Sequence, residues 1–296
     1  PSTVVDSEEL EDQMRSTLFG LAVIVTLATV GISAFGEQAT EAGAHYRMCM
    51  SHKRAGRMAQ AIESCRQAIA ARSEYQSAHL TLGGLLRRQG DLDGAAAEFR
   101  RVIEINSESA RAHSLLGAVL IRQRNYEEAE TVLRRAVQLD DSDASAHANL
   151  AMVLRRQRDN LGEALRHITR AIQLEGDESI WYNNRGIIYR RLERYDEAEA
   201  DLRRAISLES DNARYHFDLG VIHRAQEEFQ EAVNAYQEAL RLNPNMAAAL
   251  YDLGLMYQAM GRNDDAIETM ERWLRLAGAR DPERANDLRQ RIENLQ

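Results

Sequence analysis

The chain has 296 residues, of which 44% are hydrophobic and 28% are charged, and its formal net charge is −9 at pH 7. This length allows a large hydrophobic core, and the acidic balance disfavours nucleic acid as a partner. The chain has no glycine-rich phosphate loop, no H-E-x-x-H, no C-x-x-C pair and no G-x-S-x-G motif. The sequence therefore predicts a non-enzymatic protein without a cofactor or a catalytic metal.

The chain begins with an acidic tail, residues 1–15, followed by a long apolar segment. From Ser16 to Gly36, "STLFGLAVIVTLATVGISAFG" runs 21 residues without a charge. About 20 apolar residues are needed for an α-helix to cross the hydrocarbon layer. The rival interpretation is a cleaved signal peptide, but the preceding tail is acidic and no good A-x-A site follows. We therefore expect residues 16–36 to form a single transmembrane helix.

The side of the membrane that carries the rest of the chain is less well defined by the positive charges. Arg15 lies directly against the apolar segment, which favours a cytoplasmic N-terminus. The wider count favours the reverse, because Arg47, Lys53, Arg54 and Arg57 follow on the other side. Giving the close flank more weight, we expect a single-pass protein of a bacterial inner membrane with its C-terminal part in the periplasm.

Beyond this segment, small residues recur with a period of 34 or 35. The first series is alanine: Ala61, Ala95, Ala129, Ala164, Ala198, Ala232 and Ala266. A second series of small residues precedes most of these alanines by twelve positions: Cys49, Gly83, Gly117, Ala151, Gly186, Gly220 and Gly254. Apolar residues between the two series are spaced for helices, so each period predicts two helices that pack closely at their small residues.

This pattern resembles the tetratricopeptide repeat (TPR) family, which has a small residue at position 8, alanine at 20, a large apolar residue at 24 and often proline at 32. Only Pro244 occupies position 32 here. The resemblance implies an all-α fold, a right-handed α-solenoid of seven TPR helix pairs that follows the transmembrane helix. The seven repeats occupy residues 42–75, 76–109, 110–143, 144–178, 179–212, 213–246 and 247–280. Residues 281–296 are expected to form a capping helix, with Asp281 as its N-cap and Pro282 in its first turn.

Two residue types within the repeats invite a chemical interpretation. Cys49 and Cys65 occupy positions 8 and 24 of the first repeat, where we expect buried thiols in preference to a disulfide. Five histidines share position 4: His45, His79, His113, His147 and His216. Equivalent residues of neighbouring repeats lie about 8–10 Å apart, whereas the ligands of one zinc ion lie within about 2 Å of it. We therefore expect a structural role for these histidines.

The family resemblance implies that positions 2, 5, 9, 12 and 13 of each first helix line a binding groove. Positions 12 and 13 form a basic seam: Lys53, Arg54, Arg87, Arg88, Arg122, Arg155, Arg156, Arg190, Arg191 and Arg224. Positions 5 and 9 offer apolar or aromatic anchors near both ends: Tyr46, Met50, Leu80, Phe217, Val221, Tyr251 and Leu255. The seam can bind an acidic, partly apolar segment of a protein partner, or it can simply complement the helix dipoles in water.

Two functions are consistent with these features. The first is a membrane-anchored scaffold that binds partner proteins and assembles or stabilises a membrane-associated complex. The alternative is a self-assembling protein that forms a homo-oligomeric array on the membrane. Position 5 offers no cation in any repeat, so the chain departs from the family members that clamp the C-terminal carboxylate of chaperones.

Overall fold

In the computed structural model, residues 39–156 and 160–296 are described, and within these ranges the chain is all-α, with fifteen helices and no strand. Helix α1 is described over residues 39–54. The other helices are α2 (Met58–Ala71), α3 (Gln76–Gln89), α4 (Leu92–Ile105), α5 (Ala110–Arg122), α6 (Tyr126–Leu139), α7 (Ala144–Leu154), α8 (Leu161–Leu174), α9 (Ser179–Arg191), α10 (Tyr195–Leu208), α11 (Ala213–Ala225), α12 (Phe229–Leu242), α13 (Ala247–Ala259), α14 (Asn263–Ala277) and α15 (Pro282–Leu295).

The chain divides into two compact units. The first unit ends at Gln123 and contains α1–α5, and the second begins at Arg124 and contains α6–α15. Within each unit, helices that follow one another along the chain pack together, as α3 does with α4 and α11 with α12. Short turns between such neighbours make them antiparallel. One helix pair therefore falls within each predicted repeat that lies inside a single unit, and the third repeat, residues 110–143, is divided between the two units.

The small residues at position 8 are required by the packing within a pair. A Cβ added to Gly83 would lie 2.7 Å from Cε1 of Phe99, and one added to Gly220 would lie 2.6 Å from Cε1 of Tyr236. Real Cβ atoms do not approach so closely, so position 24 fills the space that position 8 leaves. The alanines at position 20 are all fully buried: Ala61, Ala95, Ala129, Ala164, Ala198, Ala232 and Ala266. The predicted packing register is confirmed.

Polar side chains end the second helices, as the scarcity of proline predicts. Asn106, Asp140 and Asn243 follow the second helices of three repeats in an extended conformation. Each side-chain oxygen accepts a hydrogen bond from the backbone N–H two residues later, at 2.9–3.2 Å. This local bond offers the backbone an alternative to further helix. Three of the linkers between repeats therefore begin with an Asn or Asp that bonds its own backbone.

The C-terminal helix α15 covers the last repeat as predicted. The side chain of Asp281 accepts a hydrogen bond from the backbone N–H of Arg284, and Pro282 occupies the first turn. Ala285, Leu288 and Ile292 are buried in the same core as the last repeats. A helix of this amphipathic kind closes an end of a repeat array by burying its exposed apolar face.

The expectation of free thiols in the first repeat is wrong, because Cys49 and Cys65 form a disulfide with their Cα atoms 5.2 Å apart. Positions 8 and 24 face each other across the helix pair, as Gly83 and Phe99 do in the next repeat. Two short thiol side chains at these positions leave a separation within the usual disulfide range. The bond joins α1 to α2, and both cysteines are fully buried.

The predicted transmembrane helix at residues 16–36 and the acidic tail before it lie outside the described residues. Among the helices of residues 39–156 and 160–296, none is long and apolar enough to cross a bilayer.

Candidate functional site

A cavity of about 450 Å³ opens between the first helices of the first three repeats, α1, α3 and α5. All three helices belong to the first unit. Six of its lining residues belong to the predicted groove: Tyr46, Met50, Lys53, Leu80, Arg87 and Arg88. The other six were not among the predicted residues: Ser77, Thr81, Gly84, Leu85, Arg111 and Leu115. We call this the cationic cavity.

Four of the six missed residues fall at two positions of the repeat. Ser77 and Arg111 occupy position 2, which the family resemblance assigns to the groove, so their position in the repeat could have identified them. Thr81 and Leu115 occupy position 6, one residue beyond the predicted stripe. Side chains at position 6 line the cavity because a neighbouring helix lies beside them, and the pattern of one helix alone does not predict this.

The three first helices run parallel, so that equivalent positions lie side by side. The guanidinium of Arg122, at the end of α5, donates to the backbone carbonyl of Arg87 near the end of α3, at 3.2 Å. The hydroxyls of Tyr46 on α1 and Thr81 on α3 are 3.2 Å apart. The cavity therefore has two ends, and Lys53, Arg87 and Arg88 lie at the end formed by the C-termini of the helices.

The cavity is lined by positive charge that no carboxylate of the described residues balances. Its wall contains Lys53, Arg87, Arg88 and Arg111 but no Asp or Glu. Across residues 39–156 and 160–296, none of these four side chains forms a salt bridge. Arg87 is half-buried and the other three are exposed. Such charges attract an anionic ligand, and Arg side chains present planar pairs of donors that suit carboxylates.

The middle of the cavity is apolar. Met50, Leu80 and Leu115 are half-buried there, and Tyr46 packs on Tyr75 with ring centroids 5.0 Å apart. The ring contact and the hydroxyl contact with Thr81 hold Tyr46 in place. Apolar surface between charged groups suits a ligand that is itself part acidic and part apolar.

The predicted seam residues of the second unit are placed differently. Arg224 forms a salt bridge with Asp252 at 2.9 Å, and Arg156 stacks over the ring of Tyr126 at 4.0 Å from its centroid. Arg155 is half-buried, and burial together with the nearby charges of Arg156 and Arg191 lowers its pKa. These arginines are thus partly engaged by their own unit.

Some basic residues of the second unit have a carboxylate partner, whereas the wall of the cationic cavity contains no carboxylate. Asp218 is buried and accepts a hydrogen bond from Nε of Arg214 at 2.8 Å. Burial raises the pKa of Asp218 and also that of Asp252, in spite of their arginine neighbours. The basic seam is therefore largely uncompensated in the cationic cavity and partly compensated in the second unit.

Phe217, predicted as an apolar anchor of the groove, is largely buried within the second unit. Its side chain is only 9% exposed and packs against Tyr236 with ring centroids 5.7 Å apart, while the guanidinium of Arg214 lies over the ring. Val221, Tyr251 and Leu255 are partly buried against the same core. All four residues therefore contribute to the core of the second unit.

Position 4 has the structural role that the sequence predicts. In four repeats, Nε2 of the histidine donates to the carbonyl oxygen of the residue six positions earlier, in the linker before the helix. The distances are 2.9 Å for His79, 3.1 Å for His113, 3.3 Å for His147 and 3.0 Å for His216. Tyr182 makes the same contact through its hydroxyl, at 3.1 Å.

Within the described residues, one group of side chains has the composition of a metal site. Ligand atoms of Glu199, His223 and Glu228 lie within 4.8 Å of one another. Nδ1 of His223 is 2.7 Å from a carboxylate oxygen of Glu228, and Glu199 forms a salt bridge with Arg203 at 2.6 Å. Each of the three side chains thus has a polar partner within the chain or within the group itself, and we assign no metal to it.

Comparison with known proteins agrees with this geometry. Three family models described as tetratricopeptide repeat match residues 53–119 and 86–153, residues 177–245, and residues 217–284. No curated protein sequence matches the chain significantly.

Several solved structures share the fold at low sequence identity. YrrB, described as a TPR protein with an unusual peptide-binding site, is 21% identical with a TM-score of 0.56 over 64% of this chain and 98% of its own. PilF of Pseudomonas aeruginosa is 20% identical with a TM-score of 0.61 over 76% of this chain and 98% of its own. A chain of the Cut9–Hcn1 hetero-tetramer of the APC/C is 17% identical with a TM-score of 0.63 over 78% of this chain and 45% of its own.

The family models cover most of residues 53–284, and the fold, the helix bounds and the packing at positions 8, 20 and 24 agree with them. The chain belongs to the tetratricopeptide repeat family.

Proposed function

We propose that this protein is a non-enzymatic scaffold that holds partner proteins by binding an acidic, partly apolar segment in the cationic cavity. The observation that carries the proposal is a cavity wall with Lys53, Arg87, Arg88 and Arg111 and no carboxylate. The protein as a whole is acidic, so a basic cavity is a local exception and favours one class of ligand. YrrB is described as binding a peptide, which makes a peptide segment a reasonable ligand for this fold.

The scaffold is proposed to act at a membrane. The apolar segment 16–36 supports a single membrane anchor, and the anchored protein would assemble or stabilise a membrane-associated complex. The disulfide between Cys49 and Cys65 supports repeats on the oxidising side, the periplasm in a bacterium, because disulfides persist in such compartments.

The first experiment is a purification of the full-length protein from its native membrane in mild detergent, with bound chains identified by mass spectrometry. It is repeated with Arg87→Glu and Arg88→Glu together. The matched control is Arg66→Glu with Arg280→Glu, which makes the same change of net charge at exposed residues outside the cavity. All three proteins are compared by melting temperature to exclude loss of fold.

We expect stoichiometric partners with the unaltered protein and the control, and their loss with the cavity variant. Partners that remain on the cavity variant would place the contact elsewhere and contradict the proposal. Recovery of only further copies of the same chain would instead favour the homo-oligomeric array.

A further inference from the structure

Two adjacent glycines in α3 differ in what requires them. Gly83 must be glycine, because an added Cβ would lie 2.7 Å from Phe99. Gly84 has no such reason: an added Cβ would meet nothing within 4 Å, and its backbone shows no positive φ. Glycine inside a helix weakens it relative to alanine. The folded chain alone therefore gives no benefit that offsets glycine at this position.

Gly84 lies in the wall of the cationic cavity, together with the apolar side chains of Met50, Leu80 and Leu115. It occupies position 9, which faces the groove, and its missing side chain leaves open space. Any larger residue here would project into the cavity and reduce its volume. The absent side chain at Gly84 is thus part of the shape of the cavity.

The two ends of the cavity both carry positive charge. Lys53, Arg87 and Arg88 lie at one end, and Arg111 lies at the first turn of α5, at the other. The contact from Arg122 to the carbonyl of Arg87 aligns the end of α5 with the end of α3. Arg111 precedes Arg122 by eleven residues, and a helix rises 1.5 Å per residue, so the two ends are separated by roughly 16 Å.

We propose that Gly84 leaves a seat for one bulky apolar side chain of the partner, and that acidic residues on both sides of that side chain contact the two cationic ends. An extended segment spans about 3.3 Å per residue, so about five residues cover the distance. The ligand class is therefore a short acidic–apolar–acidic protein segment. This inference rests on the proposed function and specifies the ligand of the same cavity.

The test uses two fluorescein-labelled synthetic peptides, EESLSEE and EESSSEE, which differ only in the central residue. Binding to the full-length protein in mild detergent is measured by fluorescence anisotropy. We expect the leucine peptide to bind about tenfold more tightly, as partial burial of one leucine side chain warrants.

Variants at Gly84 test the seat directly. Gly84→Ala, Gly84→Val and Gly84→Leu should weaken binding of the leucine peptide progressively, reaching about tenfold for leucine, while the serine peptide changes by no more than about twofold. Gly162→Leu is the matched control, because Gly162 is an exposed helical glycine at which a Cβ also meets open space. Melting temperatures of all variants should equal or exceed that of the unaltered protein.

The possible outcomes separate this inference from the proposed function. Equal binding of the two peptides, or full leucine-peptide affinity in Gly84→Leu, would overturn the seat while leaving an acidic-segment site in place. Binding of neither peptide to the unaltered protein would overturn the inference and the proposed ligand class together. Loss of both peptides in Gly84→Leu with an unchanged melting temperature would show that the glycine admits the whole segment, which also overturns a seat for one side chain.

Discussion

At the scale of single residues, position 4 shows how one side chain fixes the start of a repeat. Its histidine donates from Nε2 to a carbonyl of the preceding linker, which ties each such first helix to the turn before it. In His79, Nδ1 is also 2.6 Å from a carboxylate oxygen of Glu98. Burial alone would lower the pKa of His79, but the hydrogen bonds to Glu98 and to the carbonyl of Ser73 raise it. His79 is therefore stabilised in its charged form.

In the fourth repeat, the histidine at position 4 contacts a second histidine through Nδ1, so stability there is expected to depend on pH. His147 donates to the carbonyl of Asp141, so in its neutral form Nδ1 accepts the hydrogen bond from Nδ1 of His167 at 2.9 Å. Burial, followed by the charge of His147, lowers the pKa of His167 in spite of the nearby carboxylate of Glu163; the charges of Arg166 and Arg134 add to the lowering. A lowered pKa means that the folded state favours the neutral ring.

The stability that this pair contributes is therefore present above the unfolded pKa of about 6.5 and is lost as the pH falls through the lower folded value. We expect the free energy of unfolding, measured with urea, to fall between pH 7.5 and pH 5. The variant His167→Gln has no ring to protonate and should show a smaller fall over the same interval. An equal fall in both proteins would mean that other groups carry the acid sensitivity.

At the scale of the helix pair, the disulfide stands where other repeats have a packing contact. Gly83 against Phe99 and Gly220 against Tyr236 combine a small residue at position 8 with a large one at position 24. The first repeat has Cys49 and Cys65 at these positions and joins its two helices by a covalent bond instead. The same geometry is thus satisfied in two chemically different ways.

The disulfide of the first repeat can be broken by reduction, or it can be replaced by the glycine–phenylalanine contact of the second repeat. Reduction of the disulfide should lower the free energy of unfolding of the first repeat by about 3 kcal/mol, as expected for a loop of this length. The double variant Cys49→Gly with Cys65→Phe recreates the contact of the second repeat and should be insensitive to reductant. Hydrogen exchange of α1 and α2, with and without reductant, measures both effects. Equal loss of protection in the two proteins would contradict this account.

At the scale of the whole chain, the repeat period predicts the fold closely because the fold depends on local spacing. The packing at positions 8 and 20 can be predicted from the pattern of a single repeat, and three of the linkers are recognised by an Asn or Asp directly after the second helix. The site was predicted less completely. The stripe of positions 5, 9, 12 and 13 correctly included Tyr46, Lys53 and Arg87. It did not predict which of the repeats form the cavity.

The repeats differ from one another in contacts between residues that are distant in sequence. Arg224 is neutralised by Asp252, which comes 28 residues later, and Phe217 is covered by Tyr236 on the following helix. Neither pairing follows from a stripe along one helix. Arg87 and Arg88 have the same stripe position as basic residues of the second unit, yet across the described residues neither has a carboxylate partner. The site therefore depends on contacts between repeats.

The disulfide and the apolar segment bear independently on the compartment in which the repeats lie. If the repeats lie in the periplasm, Cys49 and Cys65 should be oxidised in the cell, since a cytoplasmic location would keep thiols reduced. Cells are quenched in acid, denatured and treated with maleimide-polyethylene glycol, and the protein is examined by gel mobility. We expect no mass shift without prior reduction and a shift for two thiols after it.

An introduced thiol gives the matching test of topology. Ala200 is exposed on α10, so Ala200→Cys places a reactive thiol on the surface of the second unit. A membrane-impermeant maleimide should label this variant in intact cells whose outer membrane has been made permeable, and should leave the unaltered protein unlabelled. Labelling of Ala200→Cys only after cell lysis, together with two free native thiols, would place the repeats in the cytoplasm. The cationic cavity would then have to find its acidic partner on that side of the membrane, and the positive residues that follow the apolar segment would outweigh Arg15 in setting the orientation.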